Sequence, residues 1–183
     1  MIELEINNAQ SLLPISGDRI EAALRQVMSD AGVIHGAISI AIVDDPQIQI
    51  LNARHLNHDY ATDVLSFVLE RSQECLEGEI IVSAETALRM AASYHWTAED
   101  ELLLYVIHGA LHLVGYDDLS PAALSAMREA ERRHLTAFGL RPKYAPLTEC
   151  QAEVTSLHVH STISFAPPEA PAVSVGSGSE ADS

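Results

Sequence analysis

Lysine and arginine are scarce in this chain: there are 10 of them against 26 aspartates and glutamates in 183 residues, giving a formal net charge of -16. Clustered cations are what normally neutralise phosphate, so charge argues against tight, autonomous binding to nucleic acid. Any such contact has to be local or assisted by a partner. The acids are not confined to one end, because residues 149–183 contain five of them and no Lys or Arg. Cysteine is nearly absent as well. Cys75 and Cys150 stand far apart and outside any CxxC spacing, which excludes a disulfide framework and a cysteine-built zinc site and fits a reducing compartment. No apolar run approaches the ~18 residues of a membrane span, and the opening MIELEINNAQ lacks a basic stretch followed by an apolar one. A soluble, cytoplasmic protein with no membrane association is expected, and the length suits one ordinary domain with its own core.

From about Thr148 the composition shifts to Ser, Pro, Ala and Gly, ending in FAPPEAPAVSVGSGSEADS. Such a segment cannot bury enough apolar surface to offset its ordering entropy. The chain therefore divides into a folded domain, 1–148, and an acidic tail, 149–183, expected to be disordered. Within the tail VTSLHVHSTISF alternates apolar and polar residues and has the pattern of an added edge strand, with His158 and His160 facing solvent.

Upstream, strands and helices alternate. MIELEI reads as a strand and DRIEAALRQVMSDAG as an amphipathic helix, with Asp18 as its cap and Gly32 at its stop. AISIAIVDD is a second strand, followed by a short helix or turn in QIQILNARHL. DVLSFVLE and GEIIVSA are two further β-branched runs that pair in one sheet. AETALRMAASYHW and ELLLYVIHGALHLVG read as helices, the second apolar enough to be central and buried. SPAALSAMREAERRHLTAFG closes the series, with Ser120 as cap, Pro121 in the first turn and Gly139 at the stop. Four strands and about five helices of this kind predict an α/β sandwich of the α+β type, a mixed sheet packed with helices, rather than a bundle.

The chemistry concentrates in His108-Gly-Ala-Leu-His112-Leu-Val-Gly-Tyr-Asp117-Asp118. On a helix the i, i+4 spacing puts both imidazoles on one face, within reach of a single metal ion. Gly115 lies where the helix stops, and a turn there brings Asp117 or Asp118 back toward the histidines. A third ligand from that turn would leave the open position a catalytic metal requires. Zinc peptidases place a general-base Glu directly after the first histidine, and here that position is Gly109, which argues against peptide hydrolysis. His35, His55, His58, His95 and His134 stand outside this pattern and are read as exposed or locally bonded.

HGALHLVGYDD closely resembles the HGxLHLxGYDH signature of the YbeY-type rRNA maturation factors. Three more blocks match in the same order: LNARHLNHDYATDVLSF, GEIIVSAETA, and MREAERRHLTAFGL with Met127 and Glu131. The resemblance covers roughly residues 1–140. It implies a zincin-like site on the central helix, one Zn2+ held by His108, His112 and, at the position of the family's third histidine, Asp118. These three would be the catalytic residues, with Asp117 orienting the turn. Thr62, Asp63 and Ser66 are the cleft residues by resemblance. Leu56 stands where many relatives carry a cleft arginine, and Arg54 takes over that substrate contact only if the segment is extended, since on a helix the two point apart.

The implied activity is metal-assisted, single-strand-specific cleavage of RNA in rRNA processing, including 16S 3′-end maturation and late ribosome quality control, with a ribosomal subunit or ribosomal protein delivering the RNA. The competing expectation is a zinc-stabilised ribosome-associated binding factor without turnover, favoured by Leu56 and the acidic surface.

Overall fold

The computed structural model describes residues 1–94, 96–142 and a short strand at 161–164. Strands and helices follow in the order β1 (Ile2–Asn8), α1 (Gly17–Asp30), β2 (His35–Val43), α2 (Asp45–Leu56), β3 (Val64–Arg71), β4 (Cys75–Ser83), α3 (Ala84–Tyr94), α4 (Ala98–Leu113), α5 (Pro121–Thr136) and β5 (Ser161–Ser164). The α+β architecture is as expected. Four strands form the mixed sheet of the main body in the order β1-β2-β4-β3, with β1, β2 and β4 parallel and β3 antiparallel to β4. β5 adds a fifth strand parallel to β3, pairing Leu65 with Ser161 and Val68 with Ser164. This strand lies in the alternating run of the tail. The rest of that run with His158 and His160, the proposed domain boundary, Cys150 and His95 lie outside the described residues, as does the remainder of the tail.

Alternation along each strand creates two apolar layers. Ile38, Ile40, Ile42, Val64, Val68, Ile80 and Val82 face the larger cluster, with buried residues of α1, α3, α4 and α5. Val43, Leu65, Phe67 and Ile81 face the other way, onto Ile48 of α2. α2 and α4 therefore cover opposite faces of the sheet. α1 buries Ile20, Ala23, Leu24, Val27 and Met28, the i, i+3, i+4 stripe that drives an amphipathic helix onto a sheet.

Two local readings are corrected. The residue flanking the start of α1 is Ser16, and Asp18 sits inside the first turn, where its charge suits the helix dipole. The second concerns 45–56, a full helix begun by Asp44, whose carboxylate accepts from Gln47 N at 3.0 Å. α4 is the central element, buried almost without interruption from Glu101 to Leu113. Thr97 caps it by accepting from Asp100 N at 3.1 Å. No helix among the described residues is long and apolar enough to cross a membrane.

Candidate metal centre

His108 and His112 occupy successive turns of α4, and their rings meet edge-on at 4.6 Å between centroids. Each ring is fixed from behind. His112 Nδ1 lies 3.0 Å from Tyr116 O. A carbonyl oxygen only accepts, so the ring proton of His112 sits on Nδ1. His108 Nδ1 lies 2.5 Å from Glu131 Oε1, where a buried carboxylate from α5 accepts in the same way. Both Nε2 atoms are thereby turned toward each other at 2.9 Å, close enough to share one proton or one metal ion. Nitrogen ligands of a tetrahedral zinc stand about 3.3 Å apart, so the pair needs only a slight adjustment to hold one.

The turn after α4 supplies the third group. Gly115, at φ +98°, reverses the chain in a conformation that favours glycine. Tyr116 N then donates to Leu111 O at 3.0 Å, which places the Tyr116 carbonyl under His112. Arg71 of β3 clamps the same corner by donating to Val114 O at 2.7 Å. Asp117 turns its carboxylate back onto the backbone, accepting from the N–H of Asp118 at 2.8 Å and of Leu119 at 3.2 Å. That frees Asp118 to point inward, with its carboxylate oxygens 3.8 Å from His108 Nε2 and 4.0 Å from His112 Nε2. His108, His112 and Asp118 each offer one ligand atom, all within 4.8 Å of one another, and together can hold a metal ion. The donor set of two imidazoles and a carboxylate fits a divalent ion with positions left open. Glu131 is the residue whose role the sequence alone does not give. Its signal is a carboxylate in the buried stripe of α5, among Met127, Ala130 and Leu135, where a charge requires a partner.

The other expected site residues are placed differently. Ser66 is buried beneath α4, where a Cβ on Gly109 would come within 3.2 Å of Ser66 Oγ, 3.0 Å of Val64 Cγ2 and 2.8 Å of Ile80 Cγ2. Thr62 and Asp63 are buried at the entry to β3. Thr62 Oγ1 and Val64 N donate to Asp63 Oδ1 at 3.0 and 2.9 Å, the bonds of a capped strand start. Arg54 is exposed on α2, and because 54 and 56 are helical it does not share the face of Leu56, which packs against the apolar cluster under that helix. The structure thus brings the two histidines and Asp118 together and leaves Arg54 on the element across the sheet.

A second polar cluster lies on the same face of α4, at Glu101 and Tyr105. The Tyr105 hydroxyl donates to Glu101. Burial pushes the Glu101 carboxyl up to about 7, against that hydrogen bond, and the charge of Asp63 adds to the rise. Burial, then the charges of Asp63 and Glu101, push the Tyr105 phenol far above its ordinary value. Further along, Asp45 is anchored by Ser83, Thr86 and Arg89. Burial opposes its charge, but the hydrogen bonds of those three outweigh it and hold its carboxyl below the usual range.

Comparison with known proteins gives a consistent assignment. The family profile described as "Endoribonuclease YbeY" matches residues 5–139. A Rhodopirellula baltica protein named Endoribonuclease YbeY is 43% identical over 111 residues, 60% of this chain and 57% of that protein. Proteins of the same name from Salinibacter ruber and Moorella thermoacetica are each 34% identical, over 73% and 76% of this chain and 90% and 99% of their own lengths. The solution structure of a Thermotoga maritima protein aligns with a TM-score of 0.51, covering 81% of this chain and all of that one at 24% identity, a likeness of fold.

Proposed function

The chain belongs to the YbeY endoribonuclease family, and from that premise we propose that it is a zinc-dependent endoribonuclease of single-stranded RNA. The observation that carries the reading is the convergence of His108 Nε2, His112 Nε2 and the Asp118 carboxylate, each aimed by a separate backing group. A zinc ion held there would supply a Lewis acid for a phosphoryl oxygen. Glu131 and the Tyr116 carbonyl hold both imidazoles in the tautomer that offers Nε2, so no reorganisation is needed at the moment of reaction. Asp118 brings a negative charge where relatives carry a neutral ring, so the site has a formal charge of about +1 rather than about +2 with a divalent ion. Thr62, Asp63 and Ser66 shape the floor beside α4. Gly109 leaves no room for a general-base side chain after His108, which sets the site apart from peptidases.

The role we assign is rRNA processing in the cytoplasm, at the 3′ end of 16S rRNA and in late ribosome quality control. The shortage of cations means that a ribosomal subunit or protein delivers the RNA. A second reading, a zinc-stabilised ribosome-associated factor without turnover, draws on one observation: Leu56 packs into an apolar cluster at the position where relatives carry a cleft arginine. Metal analysis combined with cleavage of a labelled single-stranded RNA decides between them. Cleavage abolished by chelator and by His112→Ala supports the enzyme; bound zinc with no cleavage supports the binding factor.

A further inference from the structure

The loop 57–63 between α2 and β3 carries two aromatic rings for which the metal centre has no use. His58 and Tyr60 stack with centroids 5.4 Å apart and planes 15° from parallel, and Tyr60 is 37% exposed. The loop is built to hold them. Asn57 ends α2 in the left-handed region at φ 57°, the buried Asn52 donates to Tyr60 O at 2.8 Å, and Gln49 donates to Asp59 Oδ1 at 2.9 Å. Asn52 Oδ1 and His58 Nδ1 are buried with no hydrogen-bond partner among the described residues.

Placement ties this loop to the metal centre. His55, at the end of α2, meets Phe67 of β3 edge-on at 5.3 Å. Phe67 adjoins Ser66, which lies under Gly109 on the opposite face of the same strand. The end of α2 and the helix of the histidines therefore meet one short stretch of β3 from its two faces, and the six residue steps from Tyr60 to Ser66 span at most about 22 Å, a few nucleotides of extended RNA. Asp59 lies in the loop and residues 55–63 include no Lys or Arg, so the loop itself offers phosphate no cation. A flat ring face offers stacking, which any unpaired base satisfies and a base-paired one does not.

We propose that Tyr60, backed by His58, is a stacking platform for an unpaired base of the RNA strand that enters the metal cleft. The inference rests on the endoribonuclease reading and names how that site selects single strands while short of positive charge. The test is the affinity of the full chain for an unstructured, labelled oligoribonucleotide, measured by fluorescence anisotropy in chelator so that cleavage does not intervene, and repeated across a salt series. Tyr60→Ala weakens binding by about tenfold or more while Tyr60→Phe retains it. The dependence on salt is unchanged, because no phosphate contact is lost. Tyr60→Trp, which keeps the loop filled, tightens binding, and a duplex of the same sequence binds equally weakly to all four proteins. Wild-type affinity in Tyr60→Ala, or equal losses in Tyr60→Ala and Tyr60→Phe, overturns the platform while leaving the nuclease reading intact. A chain that neither binds nor, with zinc, cleaves the single strand overturns both.

Discussion

Helix α4 buries two polar clusters on one face, and they are satisfied in opposite ways. At its N-terminal end Glu101 and Tyr105 hydrogen-bond to each other under the charge of Asp63, and burial holds both in their protonated direction. At its C-terminal end His108 and His112 are each anchored through Nδ1, so their Nε2 atoms confront one another with Asp118 beside them. The first cluster is complete with a proton. The second could hold a cation. Burial by itself thus does not prepare a metal site; anchoring each donor from behind aims it at its neighbours, and the three together could hold an ion.

The largest expected effect comes from removing a converging donor. His112→Ala or Asp118→Ala loses the metal on dialysis, whereas the wild-type chain retains about one ion; elemental analysis reads this directly. Asp117→Ala retains more, since that carboxylate holds the turn. Stoichiometric metal in Asp118→Ala together with loss in Asp117→Ala would exchange the roles of the two carboxylates.

Next comes the other cluster. Burial raises the Glu101 carboxyl to about 7 in the folded chain, against an ordinary value of about 4.5. A carboxyl raised on folding contributes stability that is fully present below about 4.5 and is lost as pH climbs through about 7. The shift corresponds to about 3 kcal/mol. Thermal unfolding of the wild type should therefore move down between pH 5 and pH 8, and Glu101→Gln should flatten that dependence. A parallel pH dependence in the two proteins would remove the contrast drawn above.

Glu131→Gln tests the anchoring itself. An amide still bonds to His108 Nδ1 but no longer does so as an anion, and zinc affinity should fall by about 10- to 100-fold, with the circular dichroism spectrum unchanged. The smallest effect is expected from deleting residues 150–183, which removes only β5 among the described elements. A loss of a few degrees in melting temperature with full metal retention is the expected outcome, and loss of metal would tie the tail to the centre.

Spacing made half of the centre legible. The i, i+4 histidines and the glycine turn follow from helix geometry, and α1 and the buried strands follow from their periodicities. Asp118 came from the signature rather than from physics, since the sequence alone leaves two adjacent carboxylates open. Glu131 needed the structure, because its partner lies on another helix and no local pattern encodes that approach. The influence of Asp63 on Glu101 and Tyr105 was hidden for the same reason, since Asp63 precedes β3 and the other two lie on α4. Arg54 was conditional on backbone form, and the helical α2 resolves that condition away from Leu56. Ser16 rather than Asp18 flanks α1, because the apolar stripe sets where the helix begins and an acid two residues later gains from the dipole without capping.

Gly109 has a consequence for ancestry. A glutamate codon lies one base change from a glycine codon, so the step toward the peptidase arrangement is short in the genome. It is long in the protein. With Ile80, Val64 and Ser66 pressed against that backbone, even a methyl group would collide before any carboxylate could be placed. A lineage that seats its metal helix this close to the sheet has closed that route to itself, and returning would require the strands to be repacked before the helix could change its chemistry.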